Sequence, residues 1–560
     1  MSEPRVPTQE LRAARMKRPK PRPKNDTVSK KDGKTQPSQL LSLPTDLLVC
    51  ICSFAISNVL DWALWQCVHP VAKNVMRRAT LIAQLRLTVH KADIVRGFGP
   101  LASHLKHLNY PLPNFRLAAD ALAAGSSRLQ GLSSLVGLRV LSCQGVTSCG
   151  QASLASLTGL RSLKLSHSIV GDELLSPLRA LETLRLDTTN MSNLKLRSVA
   201  SMHHLSVLEL QYCNGVTDQG LAHLGALSSL RVLKLRYLTN VTNVGVASLG
   251  GLTELTCLDL TATRIDDECD FSPFKRLQKL ILAQTDVTGA NVPNFAHLQW
   301  LDMVGTKTGG VFWRRLHTFP ALKDLLLSHT LITDADLGLA GLPLGLRALY
   351  VDACKLSGSG FVHPSLLEEL HMSYCVANDG SLAFLQRFPN LRKLDLTANS
   401  ELTSEGLCAM EHLGSITSLN LAECAKITHV RHLGSVSTLR RLDLSWCKNL
   451  VDARGVPPLW SLDLSNTALT NEGLPSWQTQ RRLRHLRLTR TCIDDQGLKG
   501  IEVAERLERL DLHRTSVSDA CVPTLSALPS LQSVDVSGTN ITNVSPLTHV
   551  ESVFHWYAPR

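Results

Sequence analysis

The chain has 560 residues, of which 44% are hydrophobic and only 5% aromatic, and its formal net charge is +12. This length exceeds the needs of one ordinary globular core, so the chain forms either several domains or one long repeat array. No run of eighteen apolar residues occurs, which argues against a membrane-spanning helix. Because aromatic residues are scarce, we expect an aliphatic core in which leucine is the main component.

Residues 1–40 form a basic tail with eleven Lys/Arg against four Asp/Glu, including the segment "KRPKPRPK" at residues 17–24. The tail has no apolar periodicity, so we expect it to be disordered. It can be a solvated tail, a nuclear-import signal or a weak contact for an acidic surface.

Residues 41–80 differ in character from everything around them. Leu47, Ile51 and Phe54 have the i, i+4, i+7 spacing of an amphipathic helix, and Pro44-Thr45-Asp46 suits the start of that helix. Residues 59–68 predict a second apolar helix, and Pro70 can begin a third. Residues 81–134 follow as an irregular linker or as degenerate first repeats, with Leu85-x-Leu87 and Leu105-x-x-Leu108 as candidate units.

From residue 135 to 560 the pattern L-x-x-L-x-L recurs eighteen times, with spacings of 20 to 25 residues. A fixed period of this length is typical of a solenoid. The first positions of the units are Leu138, Leu160, Leu181, Leu205, Leu230, Leu255, Leu277, Leu298, Leu322, Leu346, Leu367, Leu391, Ile416, Leu439, Leu459, Leu483, Leu507 and Leu531.

One unit illustrates the predicted structure. In residues 205–224, Leu208 and Leu210 are two apart and point to one side of a strand, whereas Val207, Glu209 and Gln211 face the other side. A turn follows, in which Thr217 can cap a short helix. Each unit buries its leucines only against its neighbours. We therefore predict an α/β solenoid, with a curved parallel sheet on the concave side, short helices on the convex side and a small helical block before it.

The repeat resembles the leucine-rich-repeat family. Three residues after L-x-L stands Cys five times, Thr nine times and Asn once, and a small polar side chain there can bond the turn of the next unit. With the "V-T-D-x-G-L" turn, this pattern resembles the cysteine-containing branch that includes the F-box leucine-rich-repeat proteins. These cysteines are Cys213, Cys354, Cys375, Cys424 and Cys447, and we interpret them as structural.

The order Leu43-Pro44-x-Asp46-Leu47-Leu48-x-x-Ile51-x-Ser53-Phe54 resembles the start of an F-box, and "LWQCV" at residues 64–68 resembles its second helix. The resemblance implies docking on a Skp-type adaptor of a cullin–RING ubiquitin ligase. Cys52 replaces a usual aromatic residue, and His69-Pro70-Val71 replaces the usual ending. The alternative is a helical cap, which a long solenoid needs. The adaptor-binding residues that the resemblance implies are Leu43, Pro44, Leu47, Leu48, Ile51 and Val68.

No GxxxxGK[ST], HExxH, G-x-S-x-G or CxxC motif occurs, and the 15 cysteines are odd in number and scattered. We therefore expect reduced thiols, a cytoplasmic or nuclear location, no metal, no cofactor and no enzymatic activity. Two functions stay open. One is the substrate-recognition subunit of an SCF-type ubiquitin ligase, and the other is a structural scaffold, for example cytoskeletal or flagellar. Both have protein partners, and neither a membrane nor nucleic acid is expected.

The residues between the paired strand leucines face the predicted concave side. In early units they are Lys164, Arg185, Glu209 and Lys234, and the row then turns acidic with Asp259 and Asp302. We expect a partner with basic groups on the later end, although such aspartates can also serve only to bond neighbouring strands. Lys393, Arg441 and Arg509 lie two residues before three of these aspartates and could neutralise them. The predicted partner-binding residues are Asp395, Asp443, Asp463, Asp511 and Asp535.

Overall fold

The computed structural model describes residues 151–556 and Val146, together with the backbone of three short strands before them. Its main feature is one parallel sheet in which each strand pairs with the next along the chain. The 21 strands of this sheet are β1 Arg86–Val89, β2 Arg116–Ala119, β3 Val140–Gln144, β4 Ser162–Ser166, β5 Thr183–Asp187, β6 Val207–Glu209, β7 Val232–Lys234, β8 Cys257–Asp259, β9 Lys279–Ile281, β10 Trp300–Asp302, β11 Asp324–Leu326, β12 Ala348–Tyr350, β13 Glu369–His371, β14 Lys393–Asp395, β15 Ser418–Asn420, β16 Arg441–Asp443, β17 Ser461–Asp463, β18 His485–Arg487, β19 Arg509–Asp511, β20 Ser533–Asp535 and β21 Ser552–Phe554.

The sheet confirms the predicted leucine-rich-repeat solenoid. Each of the eighteen predicted units contains one strand, from β3 to β20, and the central strand leucines are in register. Leu208, Leu233 and Leu258 are paired in this way and are fully buried. β1 overlaps Leu85-x-Leu87, whereas the sequence pattern did not predict β2 and β21. The predicted helical block at 41–80 lies outside the described residues.

The segments that return from one strand to the next contain eight short α-helices and nine 3₁₀ helices in the described part of the chain. The α-helices are α1 Gln151–Ala155, α2 Asp172–Leu175, α3 Asn193–Ala200, α4 Asp218–Leu221, α5 Asn243–Ala247, α6 Gly310–Arg315, α7 Asp334–Leu337 and α8 Val522–Ser526. The 3₁₀ helices are Leu224–Ala226, Leu316–Thr318, Ser381–Arg387, Glu405–His412, Arg431–Ser435, Asn471–Gly473, Trp477–Thr479, Ile501–Val503 and Asp519–Cys521.

Not every unit has the predicted helix. No helix occurs between β8 and β9, β9 and β10, β12 and β13, or β16 and β17. These units have spacings of 20 to 22 residues, shorter than the common 24. These return segments consist of turns and residues without regular secondary structure, and the segment between β20 and β21 likewise has no helix.

The core is mostly leucine, as predicted, but its middle part is aromatic. Phe312 and Phe319 have ring centroids 5.9 Å apart, and Phe361 contacts Phe388 edge-on at 5.3 Å. All of these rings are buried, and so is Trp313. The aromatic layer therefore lies beneath the middle strands of the sheet, behind the concave surface described below.

The small polar residue after each strand stabilises the turn, but not in the direction that the sequence suggested. The thiol of Cys213 donates to the carbonyl oxygen of Leu186 in the preceding unit at 3.2 Å, whereas the hydroxyl of Thr263 donates to Leu260 in its own unit at 2.7 Å. Asn399 does both, with Met372 and Leu396. The predicted bond to the turn backbone of the next unit does not form in these cases, because the backbone carbonyls within reach belong to the same or the preceding unit. Contact with the next unit occurs between side chains, as for Thr189 and Cys213 at 3.3 Å.

Thr217 occupies the N-cap of α4, as expected, but its side chain makes no capping hydrogen bond. Its hydroxyl instead accepts a hydrogen bond from Asn193 Nδ2 at 2.8 Å in the preceding unit. In α5 the equivalent Thr242 does cap, accepting from Val244 N at 3.3 Å. The turn residues thus mainly join neighbouring units, and helix capping is secondary.

Candidate protein-binding surface

The concave surface consists of three rows of side chains: the residue before the first buried strand leucine, the residue between the two leucines and the residue after the second. We call the second of these the central row. It runs in register from Lys164 in β4 to Phe554 beside β20, with one residue from each strand. Neighbouring side chains of the row are separated by about 4.8 Å, the spacing of strands in a sheet, so they interact directly.

The early end of the central row is an ion-pair ladder. Glu209 accepts from Lys234 Nζ at 2.9 Å and lies 3.4 Å from Arg185 Nε, and Lys164 lies 3.8 Å from Asp187. Glu209 is buried beneath these cations, with 6% of its surface exposed. The predicted basic end is therefore largely neutralised by its own carboxylates, which the sequence pattern alone did not indicate.

The aspartates of the later end share a structural role. In each, Oδ1 accepts a hydrogen bond from the backbone N–H two residues later, which closes the turn after the strand. This bond is 2.9 Å for Asp443 and Ser445, and the same contact occurs in Asp395, Asp463, Asp511 and Asp535. Asn420 occupies this position in β15 and accepts from Ala422 N at 3.1 Å. An amide therefore satisfies the turn as well as a carboxylate, so the turn alone does not require the negative charge.

The five predicted aspartates differ in whether their second carboxylate oxygen, Oδ2, has a partner. Asp395 Oδ2 accepts from Asn420 Nδ2 at 3.1 Å, and Asp463 Oδ2 accepts from Arg487 at 3.2 Å. Asp443, Asp511 and Asp535 have no ion-pair partner among residues 151–556. The latter three carboxylates are the ones that are open to a partner.

The cations expected to neutralise these aspartates do not do so. Lys393 donates instead to Glu369 of the preceding strand at 2.6 Å. Arg441 and Arg509 are exposed and form no ion pair within the described residues. The prediction was wrong because side chains two residues apart on one strand lean across the sheet, where the neighbouring strand is nearer.

Asp443 lies beside Asp463 in the register of β16 and β17. Burial raises the pKa of the Asp443 carboxyl above its usual value, and the negative charge of Asp463 raises it further, while the Ser445 hydrogen bonds oppose this shift. Arg487, which pairs with Asp463, also opposes the shift, but burial and the neighbouring carboxylate outweigh it, so the charge on Asp443 is unfavourable for folding. A basic group from a partner would relieve that cost.

Three of the five aspartates meet in a hollow of about 370 Å³ at the late end of the concave surface. Phe554, whose side chain is 57% exposed, closes one side of it. The hollow combines carboxylates with an aromatic face, which suits an ammonium or guanidinium group. Its charged and aromatic lining residues are Asp463, Asp511, Asp535, Arg487, Arg509, His485 and Phe554.

The middle of the concave surface is apolar, which sequence reasoning missed. In the central row Ile281, Leu326 and Tyr350 occupy β9, β11 and β12, while β10 keeps a carboxylate, Asp302, between them. Trp300 lies in the neighbouring row of β10, in register with Lys279 and Asp324. All four apolar side chains are partly exposed. The signal was present in the repeat alignment, because these units read "LIL", "LLL" and "LYV" where others have a polar middle residue.

Polar groups frame this apolar patch. Lys279 Nζ lies 4.0 Å from the Trp300 ring centroid, and the Tyr350 and His371 rings are stacked at 4.3 Å. The buried Trp300 Nε1 and His371 Nε2 have no hydrogen-bond partner in the described structure. A flat aromatic and aliphatic surface with charged edges is the composition of a protein-binding hot spot.

The ten cysteines whose side chains the structure describes are free, and seven of them are buried. Burial raises the pKa of the Cys424 thiol to about 11 and that of Cys375 to about 12, so both stay protonated. A protonated thiol is neither a nucleophile nor a metal ligand. Within the part of the chain that the structure describes, no cluster of His, Cys, Asp or Glu could hold a metal ion, and no helix is long and apolar enough to cross a membrane.

The predicted adaptor-binding residues, Leu43, Pro44, Leu47, Leu48, Ile51 and Val68, all lie outside the described residues. Their role therefore stays a prediction that rests on the sequence.

Comparisons with known proteins agree with this geometry. A model of the leucine-rich repeat matches residues 201–225 and 480–501, the repeats that contain β6 and β18. The crystal structure of the TLR13–ssRNA13 complex matches with a TM-score of 0.54 and 18% identity, over 85% of this chain and 79% of that chain. A search of curated protein sequences found no match.

Two further solved structures are similar at lower scores. A leucine-rich-repeat protein of Leptospira interrogans has a TM-score of 0.41 and 17% identity, over 72% of this chain and 92% of that chain. The plant peptide hormone receptor RGFR1 in complex with RGF2 has a TM-score of 0.36 and 16% identity, over 85% and 89%. At such identities the likeness is one of fold. This chain therefore has the leucine-rich-repeat fold.

Proposed function

We propose that this chain is a non-catalytic binding protein that holds a protein partner on its concave surface. The observation that carries the proposal is the apolar patch of Ile281, Trp300, Leu326 and Tyr350, in which Ile281, Leu326 and Tyr350 stand in the central row where most other units have polar side chains. Apolar side chains on a sheet face that is open to solvent gain stability only when something covers them.

Negative charge on the late side of the patch supports a protein partner. Carboxylates without ion-pair partners in the described chain follow the patch in β16, β19 and β20, namely Asp443, Asp511 and Asp535. A partner that places apolar side chains on the patch and basic side chains on these aspartates would satisfy both. The TLR13 structure is a complex with single-stranded RNA. We do not extend that ligand to this chain, because unpaired carboxylates repel phosphate groups.

More specifically, we propose that this chain is the substrate-recognition subunit of an SCF-type ubiquitin ligase and acts in the cytoplasm or nucleus. Its support is the resemblance of residues 43–54 and 64–68 to an F-box. In this arrangement residues 41–80 bind a Skp-type adaptor while the concave surface holds the target. If residues 41–80 are only a cap, the same concave surface would serve a structural scaffold.

The experiment that separates these functions is a binding assay between the purified full chain and a purified Skp-type adaptor. We expect a stable complex, and we expect Leu47→Asp with Ile51→Asp to abolish it, because two charges would replace apolar contacts. Asp443→Lys with Asp463→Lys is the matched control and should bind the adaptor like the parent. No complex with the parent, or a complex that survives the Leu47 and Ile51 changes, would leave the scaffold function.

A further inference from the structure

A second apolar surface lies on one flank of the sheet, at the N-terminal ends of the strands. The two residues before the first leucine of each unit form the turn at this flank. Among the units of β4 to β20, these turn positions hold a large aliphatic side chain only before β12 and β13, where they hold Leu344 and Leu366. In the other units they are polar, charged, proline or small.

Both leucines are open to solvent in the described structure. Leu344 is 87% exposed and Leu366 is 54% exposed. Of the seventeen large hydrophobic side chains that are exposed, seven lie between residues 331 and 376. This concentration in adjacent repeats differs from the isolated exposed leucines of an ordinary surface.

The leucines border a hollow of about 480 Å³, which we call the flank groove. Its floor is Leu346, which is buried. The remaining lining residues divide by chemistry into an apolar set and a polar set, which we call the apolar wall and the polar wall. The apolar wall is Pro320, Ala321, Leu344, Gly345 and Leu366, and the polar wall is Gln299, Lys323, Arg347, Glu368 and Asn390.

The charge of the polar wall indicates which partner fits. The ammonium group of Lys323 donates to the neutral amide oxygen of Gln299 at 3.0 Å. Arg347 lies 3.9 Å from Glu368, at the outer limit of an ion pair, and its side chain is 66% exposed. The groove thus offers two cations against one carboxylate, and of the two only Arg347 has an ion-pair partner in the described chain, at 3.9 Å.

We propose that the flank groove is a second docking surface, which binds an acidic amphipathic segment of a partner protein. Leucine-like side chains of that segment would cover Leu344 and Leu366, and its carboxylates would bind Lys323 and Arg347. The groove shares no lining residue with the hollow at the late end of the concave surface. It therefore adds a binding surface to the concave one and does not depend on it.

The test uses two fluorescent peptides of about four helical turns with the same leucine spacing, one carrying glutamates and the other lysines at the polar positions. Fluorescence anisotropy with the full chain measures their affinities. We expect the glutamate peptide to bind more tightly than the lysine peptide. Leu344→Ser with Leu366→Ser should weaken its binding at least tenfold, because the apolar contact is lost.

Charge reversal gives an independent measurement. Lys323→Glu with Arg347→Glu should weaken the glutamate peptide and strengthen the lysine peptide. Leu331→Ser, which changes a leucine that is 67% exposed outside the groove, should bind the glutamate peptide like the parent, and so should Asp443→Lys with Asp463→Lys. Equal affinity for the two peptides, or tight binding that survives both groove variants, would overturn the proposal. So would the absence of glutamate-peptide binding by the parent.

Discussion

Asp218 in one repeat accepts two hydrogen bonds from Thr242 in the next, from the backbone N–H at 2.8 Å and from the hydroxyl at 2.7 Å. The same contact joins Asp379 to Thr403 and Asp519 to Thr542. The glycine of the next turn makes room for it, because a Cβ on Gly245 would overlap the Asp218 carboxylate. The turn sequence "T-D-x-G-L" is therefore an inter-repeat lock as much as a helix start.

Replacing Asp218 tests this lock. Asp218→Ala leaves the N–H and hydroxyl of Thr242 without their acceptor, so we expect the free energy of unfolding to fall by about 1–3 kcal/mol. Urea denaturation followed by circular dichroism measures the change. Gln219→Ala, an exposed neighbour in the same helix, is the control. Equal loss in both variants would mean that Asp218 acts only through helix formation.

A substitution of Leu210, which is fully buried, tests the strand register. Leu210→Asp places an unpaired charge in the core and should lower the free energy of unfolding by several kcal/mol. Asn214→Asp, on an exposed residue of the same turn, should change stability little. A Leu210→Asp variant that melts like the parent would mean that the leucine faces solvent and that the register is wrong.

The repeat period made most of the fold predictable. The positions of Leu208 and Leu210 fix which side of each strand is buried, so one aligned sequence predicts all eighteen strands. Other features depend on contacts between units. Nothing in Tyr212 or Trp446 predicts a positive φ, yet both have one, with φ of 56° and 63°. The turn imposes this conformation because each N–H donates to the next repeat, as Tyr212 does to Arg236 at 3.0 Å.

The site was predictable only in part, for a related reason. The position of Asp443 on the concave surface followed from the alternation of the strand. Its lack of an ion pair did not, because the sequence does not show that Arg441 stays unpaired or that Arg487 binds Asp463 of the next strand. The apolar patch was missed because Leu326 and Tyr350 resemble core residues in a repeat that is full of leucines.

Asp443 also allows a pH test. A carboxyl group with a raised pKa in the folded state binds protons more readily there than in the unfolded chain, so folding loses stability as the pH rises through that pKa. Asp443→Asn keeps the hydrogen bond from Ser445 N, as Asn420 does with Ala422, but removes the charge. We expect the variant to melt at a higher temperature than the parent at neutral pH, with a difference that shrinks in acid. A variant less stable than the parent at neutral pH would show that the charge stabilises the fold.

Asp443 should also contribute to the affinity for the partner. For the protein held on the concave surface, Asp443→Lys with Asp463→Lys should weaken affinity at least tenfold, because attraction to basic groups becomes repulsion. The parent's affinity should also fall as salt rises. Because lysine cannot accept the turn hydrogen bonds of Ser445 N and Ser465 N, a melting curve first establishes that the variant is folded. Unchanged affinity in a correctly folded variant would place the binding surface away from β16 and β17.

Site-specific photo-crosslinking tests the concave-surface proposal most directly. A photoreactive amino acid replaces Leu326 in the apolar patch of the full chain, and in a second protein it replaces Leu194, which is 61% exposed on α3 of the return segments. We expect a discrete protein to be captured covalently at position 326 and not at position 194, and its capture to fall when Tyr350→Asp is added. Equal capture at both positions, or capture at position 194 alone, would contradict the account.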